Sequence, residues 1–260
     1  MKILTAIPKP LRAWVLPVLL LITWSVYGHV ADNLSPAYVS ILSVFERAYL
    51  LLASNELQLA LEGSLTRLIK GLAIGAFIGF VVGGLLGASR LLDKLFGPSF
   101  NTLKQISLFA WIPLMSIWFG MGDTGKVVFL AMAAFFPMVV NTYEGVRSVP
   151  RELLEVARVT RLSRWQVIRL IVLPSAVPSI FTGFYLSIIY AWLAGIGAEY
   201  FLSSSPGVGT LLIDAQEHFL MDQIIVGVTV IGLVGLALNA SAGRLEKSLL
   251  NWRGKSTATY

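Results

Sequence analysis

The hydrophobic pattern along the chain is one of long uncharged runs. Six stretches free of Asp, Glu, Lys and Arg occupy residues 13–31, 71–89, 105–122, 127–143, 170–198 and 223–243. A hydrocarbon core of about 30 Å takes roughly 20 helical residues to cross, so each run predicts a transmembrane helix. The first run follows basic residues as a signal peptide does. No small-x-small cleavage site follows at His29-Val30-Ala31, so it reads as a retained span.

Between the runs, weaker periodicities predict shorter elements. Apolar residues at Tyr38, Ile41, Leu42, Phe45, Tyr49 and Leu52 fall near helical spacing, which suggests an amphipathic helix lying on the membrane surface over 36–52. Residues 123–126 read as a tight turn, and 210–220 as a short helix against one end of the bundle. Glycine recurs at 71, 75, 79, 83 and 87, an i, i+4 ladder that marks one face of the second run. In lipid, small residues let helix backbones approach, so the ladder predicts a helix-contact face. Pro113, Pro137, Pro174 and Pro178 predict kinks or helix starts.

Composition agrees with the pattern: 56% of the 260 residues are hydrophobic and 13% charged, where a soluble domain carries about 25% charge. The net charge of +6 suggests a polyanion partner until its placement is considered. With the N-terminus in the cytoplasm, sixteen of the twenty Lys and Arg fall in the inner segments 1–12, 90–104, 144–169 and 244–260. Only Arg47, Arg67, Lys70 and Lys126 fall outside, while nine of the fourteen acids do. The positive-inside rule therefore places both termini in the cytoplasm and removes the case for nucleic acid. There is no cysteine, and two histidines, His29 and His218, are too few for a metal cluster. No phosphate-binding loop with its lysine is present, since Pro206-Gly-Val-Gly-Thr210 lacks one, so the chain is not expected to hydrolyse ATP.

The chemistry concentrates in the inner loop from Val146 to Pro174. Pro150 suits a helix start, with Glu152 and Glu155 near the positive end of the helix dipole and Arg158 and Arg161 near the negative end. Ser163 with Gln166 forms a capping box that starts a second helix. Two short helices joined by a sharp turn and presented between spans make a docking element.

These residues carry a resemblance. Glu155-Val156-Ala157, then position 161, then Ile171, Leu173 and Pro174 resemble the EAA signature of the membrane-spanning subunits of ABC importers. Val156 and Arg161 depart from the Ala and Gly of that signature. A left-handed backbone at Arg161 would cost of order 1 kcal/mol. The segment from Ala110-Trp-Ile-Pro113 to Lys126, with Phe136-Pro137, Ala198-Glu199 and Gly207-Val-Gly209, is similar to the nitrate/sulfonate/taurine branch of these permeases. Lys104-Gln-Ile-Ser107 keeps that branch's basic residue but not its prolines.

The resemblance implies an all-α integral membrane protein of about six spans with the type I ABC importer permease fold. It divides the chain into an N-terminal span and outer segment (1–56), a permease core (57–250) and a cytoplasmic tail (251–260). The implied partners in a bacterial inner membrane are two ATPase subunits, which bind ATP and magnesium, a second permease copy and an external binding protein. This chain would hold no cofactor or metal.

Glu152, Glu155, Ala157, Arg158, Arg161, Leu162 and Ser163 would couple to the ATPase. Lys104, Trp111, Trp118, Asn141, Trp192 and Glu199 are candidates for the pathway, with Tyr190 a weaker one. Each also has a structural reading: Lys104 as an inner-side charge, the tryptophans as interfacial or packing residues, and Glu199 as a boundary charge. Glu217 and His218 face the binding protein in this reading. The implied solute is a small anion, sulfonate-, taurine- or nitrate-like. An aromatic acid, a pyrimidine vitamin precursor or a self-sufficient secondary transporter are the alternatives.

Overall fold

The structure, a computed structural model, describes residues 39–202 and 205–249 together with positions 15, 19 and 22–25. Most of the expected first span, Tyr38 and the 251–260 tail lie outside the described residues. The described residues form helices α1 (Ile41–Ala53), α2 (Glu56–Ala88), α3 (Arg90–Leu103), α4 (Ile112–Phe119), α5 (Asp123–Arg147), α6 (Arg151–Val159), α7 (Arg164–Val167), α8 (Leu173–Phe201), α9 (Val208–Glu217) and α10 (Met221–Leu249). A 3₁₀ turn, Leu108–Trp111, precedes α4, and a π-helical turn, Ile168–Val172, joins α7 to α8.

Among the described residues, four helical stretches are long and apolar enough to cross a membrane: Glu56–Ala88, Asp123–Arg147, Arg164–Phe201 and Met221–Glu246. The expected span at 105–122 is instead a shorter apolar piece, Leu108–Phe119. Its chain leaves α3 at Lys104, turns through 105–107 and re-enters helix with Pro113 in the first turn, where the missing N–H costs nothing. The turn expected at 123–126 is the first turn of α5. Gly120, at φ +75°, makes the reversal just before it, and Asp123 sits favourably at the helix N-terminus.

The core is the contact of α2 with α5 and of α5 with α8. The glycine ladder is where α2 meets α5. A Cβ on Gly75 would lie 2.0 Å from the Ala131 carbonyl oxygen, and one on Gly83 would lie 2.5 Å from that of Val139. At Gly71, Gly79 and Gly87 an added Cβ would lie 2.5, 2.8 and 2.8 Å from the Cβ atoms of Leu130, Met138 and Val146. Around this seam Phe129, Leu130, Ala134, Ala191 and Trp192 form the buried cluster.

Helix α1 is capped by Ser40, whose hydroxyl accepts from the Ser43 N–H, and is tied to α10 by an Arg47–Asp222 ion pair at 3.1 Å. Leu51 is buried against Leu57 and Val226, while Leu42, Phe45, Tyr49 and Leu52 face outward as an apolar stripe. Pro174 does not stop the helix that begins at Arg164. A proline cannot donate to the carbonyl four residues back and crowds it; the preceding π turn, closed by the Leu173 N–H on the Ile168 carbonyl, widens the helix just before it.

The seam gives a direct expectation. Gly75→Ala destabilises the protein by roughly 1–3 kcal/mol, because backbone must move to admit the methyl group. Gly84→Ala, with no heavy atom within 4 Å of the new Cβ, does not. Thermal unfolding in detergent separates the two, and equal melting temperatures would remove the role given to the ladder.

Candidate functional site

Three arrangements bear on function: the loop around α6, a cavity beside Lys104, and a buried ion network at the opposite end of α2, α5 and α8. At the loop end, α6 terminates with the two hydrogen bonds of a Schellman motif. The Leu162 N–H donates to the Ala157 carbonyl at 3.0 Å, and the Arg161 N–H to that of Arg158 at 3.1 Å. Arg161 sits at φ +51°, in the left-handed region where glycine is favoured. The next helix begins at once. Ser163 Oγ accepts from the Gln166 N–H, and Gln166 Oε1 accepts from the Ser163 N–H at 2.8 Å, so the expected capping box is present. With both sides of the turn hydrogen-bonded, α6 is held at a fixed angle to the long helix Arg164–Phe201.

Of the residues proposed for coupling, Ala157 is buried beneath α6, and Glu152, Glu155, Arg158, Arg161 and Ser163 are exposed, with Leu162 half-buried. The exposed face also carries an apolar stripe absent from that set. Leu153, Val156 (57% exposed) and Val159 (85%) are spaced three residues apart, and Trp165 lies exposed beyond the turn. The spacing of these three aliphatic residues on a short, otherwise charged helix is the sequence signal for them. Val156, a departure from the signature, belongs to that stripe.

A cavity of about 420 Å³ opens between the 104–108 segment, α5 and α8. Lys104, Gln105, Asn141 and Tyr190 supply its polar groups; Phe136, Pro137, Val140 and Leu186 supply apolar wall. Asn141 Nδ2 donates to the Pro137 carbonyl at 2.9 Å, which fixes the amide on the cavity wall. Gly183 lets α8 approach, since a Cβ there would lie 2.7 Å from that of Asn141.

The other pathway candidates lie elsewhere. Trp192 is buried in the core and donates its Nε1–H to the Ile231 carbonyl at 3.3 Å. Trp111 is half-buried against the same core, and Trp118 is exposed.

Glu199 is 2% exposed and surrounded by donors. Arg67 Nη2 donates to Glu199 Oε1 at 2.6 Å, the Ser64 hydroxyl to the same oxygen at 2.7 Å, and the Gly209 N–H to Oε2 at 2.9 Å. Arg67 also donates to Asp123 Oδ1 at 3.0 Å and to the Pro206 carbonyl at 2.7 Å. Lys126, fully buried, donates to Ser205 Oγ at 2.9 Å. Every contact of Glu199 thus joins α2, α8 and the 205–209 segment, and its carboxylate faces the protein interior. Gly207 is required here, because a Cβ would lie 2.5 Å from the Glu199 carboxyl carbon. No motif in the sequence marks Arg67, Lys126 or Ser64. Their only signal was that Arg67 and Lys126 are two of just four basic residues on their side of the chain.

Residues 71–251 match the family of binding-protein-dependent transport system inner membrane components. The chain belongs to this family. It is 33% identical over 246 residues to the aliphatic sulfonates transport permease protein SsuC of Bacillus subtilis, covering 94% of this chain and 88% of that one. It is 37% identical over 187 residues to the bicarbonate transport system permease protein CmpB of Synechococcus elongatus, covering 72% and 67%. It is 31% identical over 248 residues to the nitrate import permease protein NrtB of Synechocystis sp., covering 92% and 89%. The inward-facing MetNI methionine ABC transporter superposes with a TM-score of 0.63 at 17% identity, over 74% of this chain and 95% of the matched one. The fold is that of a type I ABC importer permease. The family match includes α6 with its turn, the Lys104 cavity and Glu199; Ser64 and Arg67 precede it.

Removing one member of a buried charge pair leaves the other uncompensated, at a cost of about 3–5 kcal/mol. Glu199→Gln in this transport component is therefore expected to lower the detergent melting temperature by several degrees. The double variant Arg67→Met/Glu199→Met recovers part of the loss. A melting temperature unchanged in Glu199→Gln would show that the pair is not structural.

Proposed function

We propose that this chain is the permease subunit of an ATP-driven importer of a small oxyanion. Both termini lie on the cytoplasmic side of a bacterial inner membrane in this reading, and the loop around α6 faces the cytoplasm. The carrying observation is the locked turn at 160–163, which presents the apolar stripe Leu153, Val156 and Val159 at a fixed angle to a membrane helix. An exposed apolar stripe on a charged helix is a surface for another protein. A hydrogen-bonded turn transmits motion of that protein to α8, where a floppy loop would dissipate it.

The partner in this reading is a pair of ATPase subunits, which bind ATP and magnesium and hydrolyse the nucleotide. A second copy of this chain completes the pathway. An external binding protein delivers the solute at the α9 end, where Glu56, Asp214 and Glu217 line a cavity of about 470 Å³.

Oxyanion transport is supported by the cavity beside Lys104. The relatives are named for sulfonates, bicarbonate and nitrate, all oxyanions that accept several hydrogen bonds. The Lys104 ammonium, the Asn141 and Gln105 amides and the Tyr190 hydroxyl can donate to such a solute, while the apolar wall leaves it few competing acceptors. Lys104 and Asn141 are the pathway residues in this reading, Trp111, Trp192 and Glu199 support the frame, and Trp118 is exposed.

Two variants test the two halves of this reading. Val159→Asp places a charge in the stripe and is expected to abolish co-purification of the ATPase subunits; undiminished retention refutes the docking surface. Lys104→Gln leaves the ATPase bound and lowers oxyanion uptake into proteoliposomes roughly tenfold or more, the loss of one charge-assisted hydrogen bond. Uptake equal to wild type refutes the cavity's role.

A further inference from the structure

A second polar cavity, of about 600 Å³, lies at the loop end of the bundle, between the last turns of α2 and α5, the start of α3 and one face of α6. Arg90, Arg147, Arg151 and Arg158 line it, with Glu155 the acid among the lining residues. Arg147 is already answered: it donates to Asp93 Oδ2 at 2.5 Å and to the Tyr143 hydroxyl. That hydrogen bond holds the Asp93 carboxyl below the usual carboxylate range, so the pair is closed on itself. Arg90, Arg151 and Arg158 have no ion-pair partner among the described residues. Three free guanidiniums thus face one carboxylate.

The helix ends make the imbalance larger. Arg90 and Arg151 are the first residues of α3 and α6, where the backbone N–H groups already create positive potential and a cation is disfavoured. Two helix starts, each opening on an arginine, therefore converge on a cavity with an excess of positive charge. Nothing in the packing requires this: all three side chains are exposed. An anion in the cavity would turn each unfavourable feature into a favourable one.

The cavity is also distinct from the apolar stripe of α6. At 3.6 residues per turn, positions 151, 155 and 158 share a face centred about 130° around the helix from 153, 156 and 159. A protein seated on the stripe leaves the arginine face open to the cavity.

We propose that this cavity binds a phosphate-type oxyanion, held by the guanidinium forks of Arg90, Arg151 and Arg158. Guanidinium matches a phosphate with two parallel N–H donors, and tetrahedral oxygens can engage several forks together. Two sources offer this chemistry: the headgroup of an anionic phospholipid, since the walls are the last turns of two membrane-length helices, and free phosphate in the adjoining water. In either case the ligand bridges α6 to the ends of α2 and α5, and so stiffens the base of the docking element.

The test uses the full chain in nanodiscs of phosphatidylcholine alone, with two additions made separately: phosphatidylglycerol in the bilayer, or inorganic phosphate in the buffer. The wild type is expected to gain thermal stability in at least one arm, and the responding arm identifies the source. Arg90→Gln/Arg151→Gln is expected to bind that anion about tenfold or more weakly. Arg90→Lys/Arg151→Lys keeps the charge without the forks and falls between the two, which separates anion binding from a general folding defect.

The proposal is overturned if neither addition stabilises the wild type, or if the glutamine variant responds as the wild type does. It is overturned also if that variant loses the ATPase while its anion response is intact, since the cavity then receives an acidic protein side chain. Solute uptake is not read in these measurements, so they stand or fall apart from the transport assignment.

Discussion

The structure depends on one close contact, the backbone-to-backbone approach of α2 and α5 along the glycine ladder. In a bilayer, lipid tails are as apolar as leucine, so burial of apolar side chains does little to bring helices together. Dispersion between closely fitted surfaces must do it, and that requires the two backbones to approach without intervening Cβ atoms. The ladder runs from Gly71 to Gly87, along more than half of α2, and fixes the relation of both of its ends to α5. The Glu199 network and the arginine-lined cavity sit at those two ends.

The two ends use charge in opposite ways. At one, Arg67, Glu199 and Lys126 are withdrawn from solvent and hydrogen-bonded, joining α2, α5 and α8 to the 205–209 segment. Such a cluster is expensive to open, because each ion depends on its partners for what water would otherwise supply. At the other, the exposed Arg90, Arg151 and Arg158 guanidiniums stand without ion-pair partners among the described residues. The first arrangement holds a frame together; the second leaves charge available to something outside the chain. Between them, the Lys104 cavity places one ammonium among neutral donors.

The loop around α6 was legible because its signals are local. A capping box needs two residues three apart, so Ser163 and Gln166 announce the second helix from the chain alone, whereas the left-handed turn before it falls on Arg161, where glycine would have been the signal. The glycine ladder was legible for a similar reason, since a period of four residues is visible without knowing the partner helix. The broken element at 105–122 was not. Its uncharged run is as long as a span, and no glycine or proline marks the break at 104–107; Pro113 marks only where helix resumes.

Sequence by itself determined that the chain is helical, membrane-embedded and carries two short capped helices between long ones. Hydropathy, helix period and caps are properties of neighbouring residues. Only the tertiary structure decided what each polar side chain does, because a charge takes its role from partners distant along the chain. Glu199 pairs with a residue 132 positions away and becomes frame. Lys104 meets Asn141 and Tyr190 across three segments and becomes part of a cavity. Arg90 and Arg151 come together only because α2 and α5 end side by side.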